Sequence, residues 1–133
     1  MKKFFLPVVI CVTVFSQTSF AQLTDTKWQG VFYIPSETEC YMHFKKDTLD
    51  LVTAESGAVI EGMKYSIAGD TLTITKLYGG SPCGDDAGVY TWKINADKLK
   101  LTFISDNCGA RASAGLDNEL TKINIPDIKK END

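Results

Sequence analysis

The sequence predicts an all-β fold, an up-and-down antiparallel β-barrel of about eight short strands. Three observations carry this. Apolar and polar residues alternate over one short run after another, the period of a strand with one buried face. Compact turn signals join each run to the next, and helical periodicity is almost absent. An open sheet of this size would leave two unpaired edges and a large apolar face in water, whereas closure pairs the edges and encloses the face. A two-sheet sandwich fits the steady hairpin spacing less well.

The first strand spans 28–34, with Trp28, Gly30, Phe32 and Ile34 on one face, and Pro35 ends it. After a loop through Ser36 and Glu37, Cys40, Met42 and Phe44 share the inward face of a second strand. A turn over 46–48 returns the chain through Leu49 and Leu51. Met63, Tyr65 and Ile67 then face inward, Gly69-Asp70 makes a tight two-residue turn, and Leu72 and Ile74 come back. A Gly/Pro/Asp-rich loop covers 78–88.

The clearest hairpin comes next. Tyr90, Trp92 and Ile94 line one face of its first strand, and Leu99, Leu101 and Phe103 one face of its second. With a turn at 95–98, Ile94 opposes Leu99, Trp92 opposes Leu101 and Tyr90 opposes Phe103, so the apolar residues meet in register. Lys93, Lys98, Lys100 and Thr102 take the other face. A short helical turn fits 110–115, and 116–125 supplies the closing strand.

Met1-Lys2-Lys3, an uncharged apolar run to Phe15 and small residues before Ala21 have the three parts of a secretory signal peptide, which predicts a cleaved leader over 1–21. The expected product is secreted or periplasmic, a single barrel domain over 22–125 with a disordered tail over 126–133, and a monomer. Cys11 leaves with the leader. The bulky Ile10 before it argues against a lipid anchor. The net charge of −3 becomes more negative once Lys2 and Lys3 are removed, which disfavours nucleic acid and anionic membranes as partners.

Three cysteines then remain. Strand parity carries both Cys83 and Cys108 to the outer face of the last hairpin, diagonal to one another, and predicts a disulfide between them. Cys40 shares a face with Met42 and Phe44 and reads as a buried free thiol. No metal site is expected, because His43 is the only histidine, points away from Cys40, and has no partner at ligand spacing. The adjacent Asp85 and Asp86 lack the spaced oxygen donors of a calcium loop. No cofactor is expected.

Leu23-Thr24-Asp25-Thr26-Lys27-Trp28-Gln29-Gly30 resembles the start of lipocalin-like barrels of the calycin superfamily. Gly88-Val89-Tyr90-Thr91-Trp92, Asp97-Lys98-Leu99-Lys100-Leu101 and Asp106-Asn107-Cys108-Gly109-Ala110-Arg111 are similar to segments of small secreted bacterial lipocalin-like domains. The resemblance implies that Trp28 sits at the closed end of the barrel, covered by Arg111, the chain's only arginine. Thr26 stands where that pattern usually has glycine.

A barrel of eight strands is either filled by its own side chains or holds one small ligand. Trp28, Phe32, Met42, Phe44, Tyr65, Tyr90, Trp92, Leu101 and Phe103 would enter this interior, leaving both a filled core and a modest apolar pocket at the open end as alternatives. For a pocket, Tyr65, Tyr90 and Trp92 are the candidate ligand contacts, each an aromatic face with a polar tip. Catalysis is not expected. His43 faces outward, Cys40 has no base beside it, and apolar inward positions leave no pair of carboxylates facing one cleft. The expected function is exported, non-catalytic binding of a small hydrophobic molecule. The alternative is a protein-interaction module, such as a hydrolase inhibitor, that inserts residues 37–40 or 78–86 into its partner.

Overall fold

A computed structural model of the chain describes residues 10–11 and 20–125. The expected leader, 1–21, falls almost wholly outside those residues, and the expected tail, 126–133, lies outside them. Eight strands, β1 (Thr26–Tyr33), β2 (Glu37–Phe44), β3 (Thr48–Thr53), β4 (Val59–Ala68), β5 (Thr71–Gly79), β6 (Gly88–Asn95), β7 (Lys98–Asp106) and β8 (Glu119–Ile123), close into one antiparallel barrel in chain order. Two short helices, α1 (Phe20–Leu23) and α2 (Gly109–Ser113), precede β1 and follow β7. Each predicted strand is present. β2 starts earlier than expected, and β8 is shorter, with Leu116 in the turn before it.

The alternation that predicted the strands also sets the core. Trp28, Phe32, Met42, Phe44, Tyr65, Tyr90, Trp92 and Leu101 are all buried inside, joined by Leu23, Leu72, Ile74 and Leu120. The β6–β7 register pairs Ile94 with Leu99, Trp92 with Leu101 and Tyr90 with Phe103, as the pattern required. Gly30 has a packing reason to be glycine: a Cβ there would fall 2.4 Å from Leu120 Cδ2, which crosses from β8 into the interior. Closure rests on a short seam, where β8 pairs with β1 only from Lys27 to Gln29.

Up-and-down connection gives the barrel two distinct ends. One carries the start of β1 and the tight hairpin turns before β3, β5 and β7. The other, the mouth, carries the loops 34–36, 54–58 and 80–87 and the α2 segment. All three register irregularities lie toward the mouth. Ile60 in β4, Leu77 in β5 and Ile104 in β7 are each an extra residue against the neighbouring strand. Such bulges bend the bulged strand and reverse the parity of the residues beyond them, and barrel rims are where they concentrate.

Two expectations change here. Phe103 keeps its place opposite Tyr90, which it meets edge-on at 6.0 Å, but it is 45% exposed rather than buried, standing at the rim as the last residue of β7 before the bulge at Ile104. The Cys83–Cys108 disulfide is present, but both cysteines are buried at the mouth rather than on the outer face. For Cys108, parity carried straight through the bulge at Ile104 misses the reversal there, while Cys83 lies in the 80–87 loop, where strand parity does not apply. Cys40 is a fully buried free thiol, and burial pushes its pKa up.

Candidate functional site

At the end where β1 begins, side chains fill the barrel. Trp28 Nε1 donates to Thr26 Oγ1 at 2.7 Å, and Thr26 Oγ1 donates to the carbonyl of Leu23, so threonine serves as a relay where glycine was the expected pattern. The cation over the Trp28 ring is Lys122, at 5.9 Å from the centroid, and not Arg111. The expected Trp28–Arg111 stack is therefore absent: Trp28 lies in β1 across from Lys122, while α2 places Arg111 at the opposite end of the barrel. Tyr65 packs edge-on against Phe44 at 5.2 Å and donates its hydroxyl to the carbonyl of Lys45 at 2.5 Å. Burial raises the Tyr65 pKa, with weaker contributions from nearby side chains.

The mouth is built differently. A cavity of about 540 Å³ lies under the loops there, walled by Ile34, Pro35, Leu51, Ile60, Met63 and Leu116. The loop 80–87 and α2 cover it from two sides, joined by the Cys83–Cys108 bridge. Glu61, Ser81 and Arg111 are polar groups in its wall.

Inward positions were expected to be apolar, and this holds only for the lower part of the barrel. Glu61 stands across from Leu51, and Lys76 across from Met63, so an acid and a base enter the interior near the mouth. They are 3.8 Å apart, and both hold the loop. Ser81 donates its hydroxyl and its backbone N–H to Glu61, and Lys76 donates to the Ser81 carbonyl at 2.5 Å. Gly79 makes this close approach possible: its φ is +134°, and a Cβ there would stand 2.1 Å from a Glu61 carboxylate oxygen.

On the other side of the cavity Arg111 is 7% exposed. Its Nε and Nη2 donate to the two oxygens of Asp106 at 2.7 and 2.8 Å, and Nη2 also donates to the Asp86 carbonyl at 2.7 Å. Asp106 accepts from the Tyr90 hydroxyl and the Cys108 N–H as well. Burial alone would raise the Asp106 pKa, but the hydrogen bonds from Arg111, Tyr90 and Cys108 outweigh it and hold the carboxyl below its ordinary value. Burial and the bond to Asp106 drive the Tyr90 phenol well above its ordinary value. Arg111 Nη1 is buried with no acceptor among the described residues.

The three candidate contacts therefore do not line this cavity. Tyr65 is committed at the far end, Tyr90 supports Asp106, and Trp92 is a core residue whose buried Nε1 has no acceptor among the described residues. Glu61 and Lys76 were missed, although simple alternation reaches them: one is two residues before Met63, the other two after Ile74. Fold and site together define a closed eight-stranded antiparallel barrel, filled at one end and hollow at the mouth. No protein-family model, curated protein or solved structure matches the chain.

Proposed function

We propose that this chain is an exported, lipocalin-like, non-catalytic binding protein that holds a small hydrophobic molecule in the mouth cavity. The observation that carries the proposal is the cavity itself. Its volume lies in the range of small-molecule sites, and its wall is largely aliphatic with a few fixed polar groups. The buried disulfide beside it suits an oxidising compartment.

The test is saturable binding of a neutral apolar fluorophore, phenylnaphthylamine, read as enhanced emission. Ser113 is an exposed residue of α2 in the cavity wall, so Ser113→Trp should fill the cavity and abolish binding without touching the core. Binding that survives this change would place the ligand elsewhere, and no binding to the unaltered chain would overturn the proposal.

One observation supports the protein-interaction alternative. Tyr33 and Tyr78, 60% and 55% exposed, stand with Leu77, Phe103 and Ile104 around the same end of the barrel. Aromatic residues exposed together are favoured in protein interfaces. Capture of a secreted hydrolase by the chain, lost on Tyr33→Ala, with no fluorophore binding, would make that the function.

A further inference from the structure

We propose that the mouth cavity admits only compact apolar molecules, a short chain or a small ring system, and that Met63 is the floor that sets this limit. The inference rests on the cavity being a small-molecule site and adds to it the size class of the molecule and the residue that fixes it.

The interior changes character at one level of the barrel. On β4 the inward side chains run from Glu61 through Met63 to Tyr65, and the first two line the cavity while Tyr65 does not. On β3 Leu51 lines it, and Leu49, the next inward residue toward the closed end, does not. Leu51 stands across from Glu61 and Leu49 across from Met63, so Met63 reaches one level deeper than any other strand residue in the wall.

Beneath that level the space is taken. Tyr65 is fixed by its edge-on contact with Phe44 and by its bond to the Lys45 carbonyl, and Phe44, Leu49 and Trp28 fill the interior around and below it. The part of the wall that β4 supplies runs only from Ile60 to Met63, about 10 Å of strand. A longer chain cannot continue past Met63, and because the mouth is open to solvent its surplus methylenes stay in water and gain nothing by burial. Since Tyr65 and Phe44 are held in place from below, truncating Met63 lengthens the cavity rather than letting the core close up behind it.

The experiment measures displacement of phenylnaphthylamine from the full chain by straight-chain alcohols from butanol to dodecanol. Affinity should rise about fourfold with each methylene and then stop rising at a definite chain length. Met63→Ala should move that break to chains about two methylenes longer, into the space the side chain vacates. Met63→Val, a milder truncation that suits a strand, should move it in the same direction by less, and it carries the test if the alanine variant does not fold. Leu72→Ala truncates an equally buried residue of β5 outside the cavity wall, so it should cost stability and leave the break where it is.

A rise that continues without a break through dodecanol, or a break that stays at the same length in the Met63 variants, would overturn the inference while leaving the cavity proposal standing. So would an equal shift of the break in Leu72→Ala, or a bound fluorophore that none of the alcohols displaces. Failure of the unaltered chain to bind phenylnaphthylamine would overturn the cavity proposal, and this one with it.

Discussion

The ring of Tyr78 occupies the place where a side chain on Gly62 would stand. The two residues face each other across β4 and β5, and a Cβ on Gly62 would lie 2.2 Å from Tyr78 Cζ. The tyrosine hydroxyl continues past the glycine to donate to Asp50 Oδ1 at 3.0 Å, while Lys45 holds the other oxygen of that buried carboxylate at 2.7 Å. An aromatic ring laid over a strand glycine restores the contact area the glycine lacks.

Gly62→Ala should therefore displace the ring and break its bond to Asp50. The ring is at the surface and free to swing away, so thermal unfolding should fall only slightly, by about 2–5 °C. The sharper signature is the phenol. The bond to Asp50, with the nearby carboxylate charge, raises the Tyr78 pKa, and in Gly62→Ala it should return toward its ordinary value in an alkaline ultraviolet titration. Tyr78→Phe combined with Gly62→Ala should be no less stable than Tyr78→Phe alone beyond the small cost of the methyl, because both changes remove the same bond.

The Asp106–Arg111 pair predicts the acid limb of stability. An acid whose folded pKa is depressed contributes stability that is present above its unfolded value, about 3.9, and is lost as pH falls through the lower folded value. Both partners are buried, so Asp106→Asn leaves the guanidinium without its counter-charge and should lower stability by about 3–5 kcal/mol. Denaturant melts from acid to neutral pH should show the full gap above about pH 4 and a shrinking gap below it. A gap that does not narrow in acid would mean the carboxyl is not the titrating partner.

The barrel was legible because alternation is local: Tyr90, Trp92, Leu99 and Leu101 each face inward whatever lies farther along the chain. The mouth was much less so. A bulge is decided by how neighbouring strands fit across the sheet, and Ile60, Leu77 and Ile104 are residue types equally at home in a regular strand. Extrapolation past Ile104 puts Cys108 on the incorrect face, and Cys83 lies in a loop that strand parity does not reach, even though the cysteine pairing is right. The loop contacts of Glu61 and the bonding of Arg111 depend on chain segments that come together only after the barrel closes.

Reduction of the Cys83–Cys108 bridge should loosen the mouth and spare the rest. The bridge closes a loop of 25 residues, and its loss should lower stability by roughly 3 kcal/mol. Cys83 lines the cavity and Cys108 precedes α2, so the 80–87 loop and α2 should gain hydrogen exchange first, while Trp28 and Leu72 amides stay protected. Binding of phenylnaphthylamine should weaken together with that protection. Uniform loss of protection across the barrel would show that the bridge holds the whole fold rather than its mouth.

Cys40 offers a probe of the packed barrel interior. It has 0% exposure on β2 across from Gly30, beside the short β1–β8 seam, and desolvation holds its thiol in the unreactive protonated form. Alkylation by iodoacetamide at pH 8 should therefore proceed only through opening of the barrel, at a rate set by the opening equilibrium rather than by the thiol. A destabilised variant tests this directly. Gly30→Ala forces a Cβ against Leu120 and strains the seam without altering the thiol, so it should accelerate labelling in proportion to its loss of stability. The same change in a chain kept folded by lower temperature should label slowly again. Fast labelling of the unaltered chain under conditions where the core amides remain protected would show that the seam opens independently of global unfolding, and the barrel would then have its weakest point at β8.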